Sequence, residues 1–197
     1  MSSLNKKLIL AFLFIFMFGS FGFYVIDKAA KSRINNIGII GQVPAFSLTN
    51  FDGSIITEKQ LNDKISIISF IFTQCDGACP IMSDNMSILQ ERFSSSDDIQ
   101  FFSITTDPEF DTLSVLSDFS AQYSNKDNWF FLRGDISDVI SLSEQGFFLS
   151  AALLPVGHST RFVLVDKDSN IRKYYEGTVE SNIYELQSDI VTLLNKE

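Results

Sequence analysis

The sequence predicts an α/β fold: one mixed central sheet flanked by helices, preceded by an N-terminal transmembrane helix. Three observations carry this expectation. Short apolar runs rich in β-branched and aromatic residues alternate with segments of helical period, the pattern of a parallel core. The last two strand-like runs follow each other across a short polar turn, so a hairpin adds antiparallel strands. A long uncharged apolar run lies near the start of the chain. The chain has 197 residues, 45% of them hydrophobic and 20% charged, which excludes a disordered protein. That length fits one domain of about 150 residues with a short appendage. A domain of this size folds without metal or disulfide, so cysteine or metal chemistry in it points to function.

Taken in order, the first element is the 19-residue uncharged run LILAFLFIFMFGSFGFYVI at 8–26. As a helix it spans about 28 Å, close to the hydrocarbon thickness of a bilayer. Lys6 and Lys7 precede it, and Tyr24 sits where an amphipathic ring suits the interface. It reads as an uncleaved signal anchor; a cleaved signal peptide is the competing reading, with Ala29 and Ala30 just beyond the run. The expected organisation is an anchor at 1–27, a tether at 28–43 broken by glycines, and a folded domain at 44–197.

Within the domain, residues 46–49 and 54–57 flank Asp52-Gly53 and read as a hairpin. The run ISIISFIF at 65–72 is a strand covered on both faces. Residues 80–93 have helical spacing, with Pro80 at the first helical position and Ile81, Ile88, Leu89 and Phe93 as core candidates. IQFFSIT at 99–105 is a second central strand. A helix at 112–123 has Asp111 placed to cap it. A strand at 129–132 ends near Gly134, and a helix at 135–145 stops at Gly146. Strands at 160–165 and 171–175 form the closing hairpin, and 179–194 is an amphipathic helix.

Residues 1–33 carry a net charge of +4 and the remainder −13. A domain that acidic repels polyphosphate, so nucleic acid is excluded as a partner. There is no phosphate-binding glycine loop and no Gly-x-Ser-x-Gly elbow.

The chemistry concentrates in three residues. Cys75 and Cys79, the two cysteines of the chain, are four positions apart in Cys-Asp-Gly-Ala-Cys-Pro, between a buried strand and a helix. Reactive groups in open α/β sheets gather at the carboxyl ends of strands, and a helix start favours thiolates. One helical turn separates the pair by about 6 Å, short enough to form a disulfide and to chelate one soft metal ion. His158, the single histidine, sits in the loop Pro155-Val156-Gly157-His158 before a strand. If the hairpin lies beside the first central strand, that loop reaches the cysteines. Cys2His then suits Cu(I), and Cu(II) with an added oxygen ligand. Zinc requires a fourth ligand, for which Asp76 is placed. Asp107, at the end of the second central strand, is a candidate to support the site from outside the ligand set, with a plain turn residue as the alternative. Met82 and Met86 carry thioethers but at helical spacing read as core. A cysteine hydrolase is disfavoured by the neighbouring thiol, and a peroxidase by the lack of a cation near Cys75.

At these residues the sequence resembles the Sco/SenC family of membrane-tethered, thioredoxin-like copper proteins. The likeness runs over 44–195 in order: Phe70-Ile71-Phe72-Thr73-Gln74-Cys75 through Cys79-Pro80, then Ser103-Ile104-Thr105-Thr106-Asp107-Pro108 with Asp111-Thr112, then Trp129, Leu132 and Gly134, and finally Gly157-His158-Ser159-Thr160 leading into the strand to Asp166. The resemblance implies a thioredoxin-like fold and copper held by Cys75, Cys79 and His158. It implies a part in maturing the dinuclear copper centre of cytochrome c oxidase, by delivering copper to its copper-bearing subunit or by reducing that subunit's cysteines. Other copper carriers or thiol reductants would then be further partners. A single-pass protein of the bacterial inner membrane, with its domain in the periplasm, is the matching location. The alternative is a thiol-disulfide oxidoreductase that uses Cys75 and Cys79 without a metal. The family often has Pro after the first Cys; here Asp76-Gly77-Ala78 follows, and Asp76 sets a negative charge beside the thiols.

Overall fold

A computed structural model describes residues 12–26, 28, 37–124 and 126–195. The chain divides after Ile37 into two compact units. In the first, residues 12–26 are helical (α1). Among the described residues no helix is long and apolar enough to cross a membrane, and the anchor expected at 8–26 begins outside them.

The second unit is built on an eight-stranded sheet in the order β1-β8-β7-β4-β5-β6-β2-β3. The strands are β1 (Gly41–Gln42), β2 (Ser47–Asn50), β3 (Ile55–Thr57), β4 (Ile65–Ile71), β5 (Ile99–Thr105), β6 (Trp129–Arg133), β7 (Arg161–Val165) and β8 (Asn170–Glu176). The helices are α2 (Ala78–Arg92), α3 (Leu113–Tyr123), α4 (Ile136–Ser141) and α5 (Glu180–Leu194), with a 3-10 turn at Glu58–Leu61 and a π turn at Leu142–Gly146. Strands β4, β5 and β6 are parallel, and β7 joins β4 antiparallel, so the sheet is mixed as its sequence pattern predicts.

Every residue of β4 and β5 is buried, which is why both read as unbroken apolar runs. Alternation sends Ile67 and Phe101 to one face, with Met82, Met86, Phe119 and Leu186 of the helices. It sends Ile68 and Phe102 to the other, with Leu48, Leu61, Val139 and Phe147. Gly41 and Gln42, inside the stretch expected as tether, form β1 by pairing with Ile171 and Asn170 of β8.

Two local expectations are corrected. Helix α2 starts at Ala78, not Pro80, which places Pro80 third in the helix. First-turn amides have no partner within the helix, so proline is tolerated there. Its buried face is Cys79, Met82, Met86 and Leu89, whereas Ile81 and Ile88 are 50% and 55% exposed. The cap of α3 is Thr112, whose side chain accepts from the Val115 amide; Asp111 is fully buried and bonded elsewhere.

Candidate metal and dithiol site

Strand β4 ends at Ile71, and the chain turns so that the Cys75 amide donates to the Phe72 carbonyl at 3.3 Å. Helix α2 then begins, with Cys79 in its first turn. The Cys79 amide, without a helical partner, donates to Cys75 Sγ at 3.5 Å. Strand β7 runs antiparallel to β4 with Ile68 opposite Val163 and Ser66 opposite Val165. Continued beyond the ladder, that register brings the segment ahead of Arg161 to the end of β4. His158 arrives there by sheet geometry: its ring meets the edge of Phe72 at 5.5 Å, and its Nε2 lies 3.2 Å from Cys79 Sγ.

The ligand atoms of Cys75, Cys79 and His158 all lie within 4.8 Å of one another, and both cysteines are free thiols. Cys79 is 1% exposed and His158 9%, while Cys75 is half-buried. The Ser159 carbonyl, 3.0 Å from His158 Nδ1, can only accept, so Nδ1 carries the proton and Nε2 faces the sulfurs with its lone pair. Burial lowers the basicity of His158 below its ordinary range, against the opposing pull of that carbonyl. The imidazole is therefore neutral at pH 7 and oriented as a metal-ligating histidine is, with its other nitrogen anchored.

The two thiols differ. Burial alone would raise Cys75, but the amides of Cys79, Gly77 and Ala78 outweigh it and lower its pKa below 9.0. Burial pushes Cys79 up to about 12, helped by the neighbouring Cys75 sulfur and the Asp111 charge. An accessible, acidified thiol beside a buried, protonated one is the arrangement of an attacking and a resolving cysteine.

Asp76 is exposed at the mouth of the site. Asp107 is half-buried and lines a groove of about 330 Å³ with Pro108, Ile136, Leu154 and Pro155. Among the described residues, the only group of three or more His, Cys, Asp and Glu side chains able to share an ion comprises Cys75, Cys79 and His158. Met82 and Met86 are buried in the core below it. Sequence reasoning missed three threonines that frame the site. Thr73 and Thr105 donate to Asp111, and Thr106 Oγ1 lies 3.1 Å from the Ile71 carbonyl and 3.5 Å from that of Pro155 in the His158 loop. The signal of Thr105 and Thr106 was the Thr-Thr-Asp-Pro-x-x-Asp-Thr stretch itself, and that of Thr73 its place two residues before Cys75.

Fold and site together define a thioredoxin-like α/β protein with a Cys-x3-Cys pair and a histidine converging at the end of its central strands. The SCO1/SenC family model matches residues 41–195, and the chain belongs to that family. It is 30% identical over 156 residues to the SCO1 protein homolog of Bacillus subtilis, covering 76% of this chain and 81% of that one. Its fold superposes on BsSco, described as a member of the Sco family of cytochrome c oxidase assembly proteins with a disulfide switch (TM-score 0.72, 28% identity, 81% of this chain and 98% of that one). It also superposes on Arabidopsis thaliana ScoI, solved with copper bound (TM-score 0.68, 22% identity, 79% and 99%), a likeness of fold.

Proposed function

We propose that this chain is a membrane-tethered copper-binding protein that serves assembly of the dinuclear copper centre of cytochrome c oxidase. One observation carries the reading: two sulfurs and an imidazole nitrogen within 4.8 Å of one another. A soft set of three donors suits Cu(I), and leaves a position open through which copper passes to a client as cargo. Cys75, Cys79 and His158 hold the ion, and Asp76 and Asp107 supply negative charge at the edge. A fourth protein ligand, which a structural zinc site requires, is not in the group. The apolar run at 8–26 anchors the chain in the bacterial inner membrane with its domain on the periplasmic side. Tethering raises the domain's local concentration near an integral-membrane client, so transfer proceeds through a weak encounter.

The asymmetric thiols favour a second reading, reduction of the client's copper-binding cysteines. Cys75 attacks the client's disulfide, Cys79 resolves the mixed disulfide, and the client leaves with two thiols as this chain takes the S–S bond. The purified full chain in detergent tests both. It is expected to bind one copper per chain, with a thiolate-to-Cu(II) charge-transfer band that His158→Ala abolishes. Unchanged binding in that variant defeats the metal reading. Full cellular function in His158→Ala, with loss in either Cys→Ser variant, establishes the dithiol one.

A further inference from the structure

The cysteine loop and the histidine loop belong to different parts of the chain, and both are tied to adjacent residues at the end of β5. Thr106 touches both: its amide donates to the carbonyl of Ile71, the last residue of β4, at 2.7 Å, and its hydroxyl lies 3.1 Å from that carbonyl and 3.5 Å from the Pro155 carbonyl in the histidine loop. Thr105 holds the cysteine side through Asp111. The Thr105 hydroxyl donates to Asp111 Oδ2 and accepts from the Asp107 amide at 3.0 Å. The Asp111 amide donates to the Asp107 carbonyl at 2.8 Å, which closes the turn and aims the carboxyl group inward. Its two oxygens then take both donors of Thr73: the hydroxyl at Oδ1 and the amide at Oδ2, the latter at 3.2 Å. Thr73 lies two positions before Cys75. Asp111 is completely buried, and bonds to a buried carboxylate are among the stronger ones in proteins.

We propose that Asp111 is a positioning residue of this site: its carboxylate straps Thr73, and with it the Cys75 loop, to the end of β5, next to the residue that touches the His158 loop. The strap fixes how far Cys75 stands from its two companions. Its loss widens the range of Cys75 positions and lowers the effective concentration of one thiol for the other. This deepens the proposed reading of the site and rests on it only for copper, so a metal-free measurement decides it.

The full chain in detergent is equilibrated with glutathione and glutathione disulfide, and the Cys75–Cys79 pair is quantified by alkylation and mass spectrometry. Each turnover exchanges two S–H bonds of the chain for one S–S bond, and glutathione disulfide takes the two electrons and two protons to become two thiols. Asp111→Asn and Thr73→Val are expected to shift the equilibrium about tenfold toward the dithiol, which for this two-electron couple is about 30 mV. Ser69→Ala, which removes a buried hydroxyl of β4 outside the strap, is expected to shift it less than threefold. Asp111→Asn and Thr73→Val within twofold of wild type overturn the proposal, as does Ser69→Ala matching Thr73→Val, the signature of general loosening. Thr73→Val decides the matter alone if Asp111→Asn does not fold. A parallel copper titration separates the two readings: a wild type that takes up no copper defeats the metal function and leaves the thiol result standing.

Discussion

The buried ion pair of the closing hairpin offers a sharp test of how the domain is held together. Asp166 and Arg172 meet at 2.7 Å with side chains 9% and 5% exposed. Asp166 Oδ1 also accepts from the amides of Asp168 and Asn170, while Oδ2 takes Arg172 and the Asn170 side chain. Arg172 Nε in turn donates to the Gly38 carbonyl at 3.1 Å beside β1. In Asp166→Asn the new oxygen keeps the two amides, but the new NH2 faces the guanidinium, donor against donor. Breaking a buried pair from one side costs about 3–5 kcal/mol, a large part of the 5–15 kcal/mol total of a typical domain. With a urea slope of about 2 kcal/mol per molar, the unfolding midpoint at pH 7 falls by about 2 M. The pH course follows from the same contacts. Although burial opposes it, bonding to Arg172 and Asn170 holds Asp166 below its ordinary 3.8, so its contribution is complete above about that pH and fades as pH falls through the folded value. Wild type and variant therefore converge in acid, where protonation of Asp166 removes the same negative charge that Asn removes. A loss below about 1 kcal/mol at pH 7, or a gap that does not narrow as pH falls below 3.8, refutes this account.

Further outcomes concern the site. A Cβ at Gly157 would stand 2.5 Å from Leu153 Cβ and 3.0 Å from its carbonyl oxygen, which the Gly157 amide already binds at 2.6 Å. Gly157→Ala is expected to displace the His158 loop and weaken copper binding at least tenfold by competition titration, while the glutathione equilibrium of the cysteines moves less than threefold. With Cys75 below 9.0 and Cys79 near 12, thiolate at pH 8 resides on Cys75, so iodoacetamide is expected to label it first, as read by peptide mass spectrometry.

Much of this fold is legible because β4 and β5 are buried on both sides and show it as continuous apolar runs. The cysteines and histidine stand out because their side chains are scarce in this chain, and because a hairpin antiparallel to β4 puts the segment entering β7 at the end of β4 from which the cysteines extend. Other features turn on distant partners. Asp111 and Thr112 both suit a cap; the choice is made by Thr73, 38 positions away, which claims the carboxylate and leaves Thr112 to the helix. The buried face of α2 is ambiguous by pattern, since Ile81 and Ile88 are as apolar as Met82 and Met86. It is set once Cys79 points inward and fixes the helix phase. Strand β1 is two residues of backbone pairing, with no side-chain pattern to announce it.

Cys79 and His158, in contact in the finished domain, are 79 positions apart along the chain. An unfolded polypeptide keeps its two sulfurs together by proximity alone but acquires the nitrogen only when β7 has zipped onto β4. A three-donor grip thus requires the closed sheet, and any ion held there favours the completed structure over the open chain by mass action. A half-assembled molecule offers two sulfurs, so an ion is held less firmly until the sheet is closed.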